Sequence, residues 1–233
     1  MTFPVQVMKL IEETLLVLKP DAIVRRFVSV EALKILLSRG FGVRAFKEML
    51  VSSELARKHY SIHESKPFYE WLIKFITSGP VLAMRVESEG VIQEIRKMLG
   101  STFAHKAEPE SLRGKYGIYG GVNVAHASDS DKTSLEEIGL WESEVGLSRN
   151  PQKTVAKQID AYIELYESKP YTDHTRELRS ACMGIVEGRI KEETGRNTLS
   201  RLLASEIQDA DKKYLKGFSD AVLETCLMDR RKK

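Results

Sequence analysis

Hydrophobic and polar positions follow two different rhythms along this chain. Up to about residue 140, short apolar runs alternate with segments of helical spacing. Residues 14–20, TLLVLKP, form an apolar run stopped by proline, as a buried strand would be. Residues 30–37 have helical spacing and end at the turn signal Arg39-Gly40, after which FGVRAFKEMLV (41–51) alternates as a strand does. SSELARKHY (52–60) and PFYEWLIKFIT (67–77) predict helices, PVLAMRVE (80–87) a third strand, and VIQEIRKMLGS (91–101) a helix closed by Gly100. YGIYGGVNVA (116–125) predicts a fourth strand leading into the loop NVAHASDS (123–130). DSDKTSLEEIGLW (129–141) then begins with capping residues and turns helical.

This order of elements predicts an α+β fold, a ferredoxin-like split βαβ sandwich in which an antiparallel sheet carries helices on one face. After Trp141 the rhythm changes. Residues 143–152, SEVGLSRNPQ, are rich in breakers, and no strand pattern follows them. Three helical stretches are predicted instead, at 154–168, 175–193 and 198–228. In the last, Leu199, Leu202, Leu203, Ile207, Ala210, Tyr214, Phe218, Val222 and Cys226 recur at three- and four-residue steps as an apolar stripe, the mark of a core or partner face. The expected organisation is an N-terminal domain at 1–142, a linker at 143–153 and an all-helical C-terminal extension at 154–233. So small an array needs a surface to bury its stripe, either the N-terminal domain or another subunit.

Composition narrows the function classes. No apolar run approaches the roughly 20 residues that cross a bilayer, and MTFPVQVMKLIEET places acidic residues where a signal peptide needs an apolar core, so no membrane partner and a cytoplasmic location are expected. The net charge of +3 is no nucleic-acid footprint: residues 1–148 carry 19 basic and 19 acidic side chains, the remainder 17 and 14, and the excess sits in the terminal RRKK. No specific nucleic-acid binding is expected. Cys182 and Cys226 lack the close pairing of a metal knuckle or redox motif and read as reduced, buried thiols.

Four features of the first domain fit phosphate handling: Lys19 at a strand end, Arg96 on a helix, Arg113 in LRGKYG, and His126 among small polar neighbours. Alone, each is a common surface charge or loop histidine. Phosphoryl transfer needs such groups together, because its catalysis is mostly positioning and stabilisation of charge on the phosphoryl oxygens.

VLKPDAIVRR, HYSIHESKPFYEWL, SGPVLAM, RKMLGST, ESLRGKYG and NVAHASDS followed by EEIGLW resemble the nucleoside diphosphate kinase family, in its order and spacing, over about residues 14–141. The resemblance implies a transferase of nucleotide metabolism that moves the terminal phosphoryl group of a nucleoside triphosphate such as ATP onto a nucleoside diphosphate by a ping-pong route, with phosphohistidine at His126. It implies that Glu137 and Ser128 hold the imidazole, and that Lys19, Tyr60, Arg96, Thr102 and Arg113 bind phosphate. Asn123 with Lys19 falls on the sugar-binding positions, and Phe68 with Leu72 on the wall that stacks the base. A stacking wall without edge donors tolerates many bases. The family also implies magnesium, held chiefly through nucleotide phosphates with Asp129 at most a water-mediated contact, so no direct protein ligand is expected. A homo-oligomer is implied as well.

The sequence departs from the family at Gly120, where an apolar side chain usually faces the base, at Val122, which replaces a common arginine, at Ala127, and in the loop 102–111 that helps join family subunits. Two rival readings follow: a nucleotide-binding scaffold or sensor, favoured by Gly120 and the extension, and a phosphohistidine donor to a protein partner. His59, His63, His105 and His174 lie in polar loop or helix-end contexts without metal-ligand spacing and read as structural.

Overall fold

The computed structural model describes residues 10–231. Residues 1–9, part of the segment weighed as a signal peptide, and the last two lysines of the basic tail lie outside the described residues.

The chain opens with β1 (Ile11–Leu18), whose last five residues are fully buried, as a strand covered on both faces must be. Pro20 starts the one-turn α1 (Pro20–Ile23), its missing N–H harmless at a first helical position. Then follow α2 (Arg26–Ser38), β2 (Gly42–Leu50), α3 (Ser53–His59) and α4 (Tyr69–Ile76). After these come β3 (Pro80–Glu89), α5 (Val91–Leu99), α6 (Leu112–Tyr116), β4 (Ala125–Ala127) and α7 (Asp131–Val145).

The sheet order is β2-β3-β1-β4, with every neighbouring pair antiparallel. β1 and β2 thus flank β3 while β3 and β4 flank β1, giving the two interlocked split βαβ units, with α2 and α5 as crossovers. These two helices share one face of the sheet, in a core with Leu16, Leu18, Leu82, Met84 and Ile95. The opposite face is covered too, by α3, α4 and α7, around Leu15, Val17, Val81, Phe75 and Trp141. Helices therefore lie on both faces rather than on one.

The fourth strand is shorter than the sequence pattern predicts. Only 125–127 pair with β1, and 117–124 form a turn with a single Tyr119–Val122 bridge. Gly120 and Val124 take positive φ values of 55° and 75°, which extended pairing does not allow.

The extension consists of α8 (Gln152–Glu167), α9 (Thr175–Val186), α10 (Glu192–Glu206) and α11 (Leu215–Arg230). α7 runs through Val145, so the irregular backbone before α8 spans only 146–151. The stretch predicted as one helix at 198–228 is two. It breaks at Ile207, whose ψ is 127°, and passes through a 3-10 turn, 209–214. The break lets buried Asp211 face Arg26 at 2.7 Å. The helix predicted at 175–193 ends at Val186, because Gly188 at φ 77° turns the chain back.

Both ends of the extension dock on the sheet domain. Val155, Ile159 and Tyr162 of α8 join the core beneath α2, while α9 to α11 extend the opposite core across α4. Phe218 stacks against Phe75 at 6.4 Å, and Trp71 Nε1 donates to the Ala221 carbonyl at 2.9 Å. Burying Phe218 alone is worth about 2–3 kcal/mol.

Candidate active site

The site forms where β1 ends beside β4. Leu18 is the last strand residue, and Lys19 turns into α1 with its N–H donating to the Val124 carbonyl at 2.8 Å. Asp21, buried in that first turn, accepts the Val124 N–H at 2.7 Å and so holds Val124 in its left-handed conformation, from which β4 departs. β4 then pairs His126 with Val17, placing the imidazole on the α7 side of the sheet. Since β4 is the sheet edge, the His126 side chain keeps 22% of its surface exposed.

Ser130 caps α7, accepting the Thr133 N–H, and one turn later the helix presents Glu137. Its Oε2 lies 2.9 Å from His126 Nε2 and accepts from Ser128 Oγ at 2.7 Å. Burial works against the Glu137 carboxylate, but the hydrogen bonds from His126 and Ser128 and the nearness of His59 outweigh it and hold the carboxyl below its usual range. Tyr60 is buried, its ring 6.2 Å from the His126 ring, and its hydroxyl has no hydrogen-bond partner among the described residues. Burial, with Glu137 and Asp21 adding to it, pushes that phenol up.

A second cluster adjoins the first. Lys19 Nζ donates to Asn123 Oδ1 at 2.7 Å, Asn123 Nδ2 donates to the Thr102 carbonyl at 2.5 Å, and Arg113 Nε donates to the Asn123 carbonyl at 3.2 Å. Arg113 also spans the Gly100 and Ala125 carbonyls, at 2.8 Å each. Arg96, Arg113, Thr102 and Ala127 help line a cavity of about 280 Å³. Cations pressed together where burial strips away solvent disfavour the charge on Lys19 and Arg113. Burial and Arg113 bring Lys19 down to about 7 against the pull of Asp21, and burial and Arg96 bring Arg113 down to about 10. A concave, cationic site of this kind is built for an anion.

Phe68 stands at the start of α4, 38% exposed, beside His63 at 5.6 Å. Leu72, one turn on, is buried in the core, so Phe68 is the exposed member of that pair.

Two residues packed against the site escaped the sequence reading, His59 and Asp21. His59 is buried and meets the His126 ring edge to face at 4.5 Å, so the polar loop or helix-end context expected of it is corrected to a buried one. Its Nδ1 accepts from Trp141 Nε1 at 3.3 Å, and burial, with His126 next, takes its pKa down to about 3. Asp21 is recognisable only from the fold, where its carboxylate accepts the Val124 N–H while the Val124 carbonyl accepts from the Lys19 N–H. Potential ligand atoms of His59, His126 and Glu137 lie within 4.8 Å of one another, but the His59–Trp141 and His126–Glu137 hydrogen bonds occupy them.

A family model described as Nucleoside diphosphate kinase matches residues 12–145. The nucleoside diphosphate kinase of Microcystis aeruginosa is 44% identical over 137 residues, covering 59% of this chain and 91% of that protein. That of Staphylococcus epidermidis is 43% identical over 144 residues, covering 61% of this chain and 96% of its own length. Among solved structures, the Halobacterium salinarum nucleoside diphosphate kinase in complex with CDP superposes with a TM-score of 0.57 at 34% identity, over 63% of this chain and 97% of that one. The Aquifex aeolicus nucleoside diphosphate kinase gives 0.56 at 32%, over 60% and 100%. With the match spanning more than half the sequence and nearly the whole length of these relatives, the chain belongs to the nucleoside diphosphate kinase family.

Proposed function

We propose that this chain moves the terminal phosphoryl group of a nucleoside triphosphate to a nucleoside diphosphate by way of His126. The observation that carries the reading is the 2.9 Å contact of His126 Nε2 with Glu137, reinforced by Ser128 on the same oxygen. A carboxylate can only accept, so Nε2 bears the proton and the Nδ1 lone pair is free to attack.

In the first half-reaction Nδ1 bonds to the terminal phosphorus as the bond to the bridging oxygen breaks, releasing the diphosphate. The phosphorylated ring carries positive charge, which the Glu137 carboxylate stabilises. In the second, the terminal oxygen of another diphosphate attacks the phosphorus and the electron pair returns to Nδ1. Arg96 and Arg113 are suited to forking onto phosphoryl oxygens, Lys19 supplies a point charge, and the unpartnered Tyr60 hydroxyl is a free donor. Asn123 and Lys19 would hold the sugar, and Phe68 would stack the base; the CDP complex of the Halobacterium relative supports a nucleotide ligand.

Magnesium would be brought in on the phosphates, which Arg96 and Arg113 at the cavity are suited to hold. Bound that way, the ion neutralises phosphate charge. Self-association belongs to the same reading and is measured by light scattering.

Incubation with ATP labelled in its terminal phosphate should give an acid-labile phosphoprotein that chases onto added GDP or CDP, with no label in His126→Ala. A protein that labels but never passes the group to a nucleotide would sink the reading in favour of a protein acceptor.

A further inference from the structure

α6, which carries Arg113, is only five residues long, too short to persist without outside support. Its C-terminal carbonyls have few partners within the helix itself. The extension provides them. Arg179 of α9 donates through Nε to the Gly117 carbonyl at 2.8 Å and through Nη2 to the Arg113 carbonyl at 3.1 Å. Arg25 donates to the Tyr116 carbonyl at 2.8 Å, and is itself fixed by Glu206 of α10 and Thr175 of α9, each at 2.6 Å. A guanidinium at a helix C-terminus satisfies the carbonyls and opposes the negative end of the dipole.

We infer that Arg179 is a positioning residue for phosphoryl transfer, an element from outside the matched region 12–145 that acts through the α6 backbone to aim Arg113 at the phosphate cavity. This rests on the reading given under Proposed function. The residue whose carbonyl Arg179 grips is the same residue whose side chain bridges the Gly100, Asn123 and Ala125 carbonyls and lines the cavity. Without that grip the Arg113 carbonyl keeps only the Gly117 N–H, at 3.0 Å, and the Gly117 carbonyl just past α6 loses its guanidinium donor; a displacement of even 1 Å at a phosphate-binding group costs a large factor in rate.

The test is a double-mutant cycle in the full-length chain, reading single-turnover phosphorylation of His126 by labelled ATP. Arg179→Ala should slow labelling about tenfold in the wild-type background and leave it within about twofold in an Arg113→Ala background, since coupled residues are not additive. Arg179→Lys, which keeps the charge but cannot fork, should fall between, while Arg176→Ala, an exposed neighbour on α9, should match the wild type. Equal losses in both backgrounds, or a wild-type rate in Arg179→Ala, would overturn the inference. If Arg179→Ala does not fold, Arg179→Lys supplies the same cycle. A wild-type chain that never labels would speak against phosphotransfer, and the cycle is then read on ADP affinity by calorimetry, where loss of coupling again defeats it.

Discussion

The rings of His59 and His126 meet edge to face with centroids 4.5 Å apart, each turned toward the Glu137 carboxylate, which lies 2.9 Å from His126 Nε2 and 3.9 Å from His59 Nδ1. Burial makes a proton on the His59 imidazole costly. His59 is buried with its pKa brought down to about 3 from 6.5, so the folded chain refuses a proton that the unfolded chain accepts. Its contribution to stability is present above pH 6.5 and drains away as the pH falls toward 3. Urea unfolding between pH 7 and pH 4 should show this loss, and His59→Gln, which can still accept from Trp141, should flatten it. An unchanged slope in the variant would count against the assignment.

Glu137→Gln tests the proposed orientation of His126 as nucleophile. An amide can present either oxygen or nitrogen to Nε2, so the tautomer is no longer imposed and the phosphorylated ring loses its counter-charge. Labelling of His126 should slow by about a hundredfold in rapid-quench measurements, with the melting temperature little changed.

Lys19 offers a signature in proton counts. With a pKa of about 7 in the free protein, part of the population is neutral at pH 7.5. An arriving polyphosphate favours the ammonium and pulls a proton on. Calorimetric titration with ADP in buffers of different ionisation enthalpy should register proton uptake that rises with pH through 7 and is absent in Lys19→Met.

Glu206 anchors the extension. It is buried, accepts from Arg25 Nε at 2.6 Å and takes the His174 N–H at 2.5 Å. Glu206→Ala leaves the buried Arg25 guanidinium with only the half-exposed Asp173, 3.6 Å away, as counter-ion, a loss of about 3–5 kcal/mol. Equilibrium urea unfolding reads it directly, and a change below about 1 kcal/mol would mean the pair contributes nothing to docking.

Gly120 is a departure that simple reversion will not repair. Its φ of 55° suits glycine, and a Cβ there would approach Thr225 Oγ1 of α11 to 3.2 Å. Gly120→Val should therefore destabilise the chain by about 1–2 kcal/mol from backbone strain alone. Thermal melts should show no rescue by Thr225→Ala, because removing the hydroxyl does not relieve the dihedral.

Much of this molecule is written in local pattern. The apolar run at 14–18 and the alternation at 41–51 predict strands because side-chain burial repeats every two residues, and NVAHASDS with Glu137 eleven residues after His126 places the histidine, its orienting serine and its carboxylate on adjacent strand and helix. What the pattern could not carry was every feature that depends on a partner distant in sequence. The fourth strand shrinks because Asp21 captures the Val124 amide across 103 residues. The long C-terminal stripe splits because Asp211 must turn to meet Arg26. His59 looks like a helix-end histidine until Trp141 and His126 close over it. Periodicity records which face of an element avoids water; only the packed tertiary structure decides which buried charges and hydrogen-bonding groups find one another, and those pairings set the site.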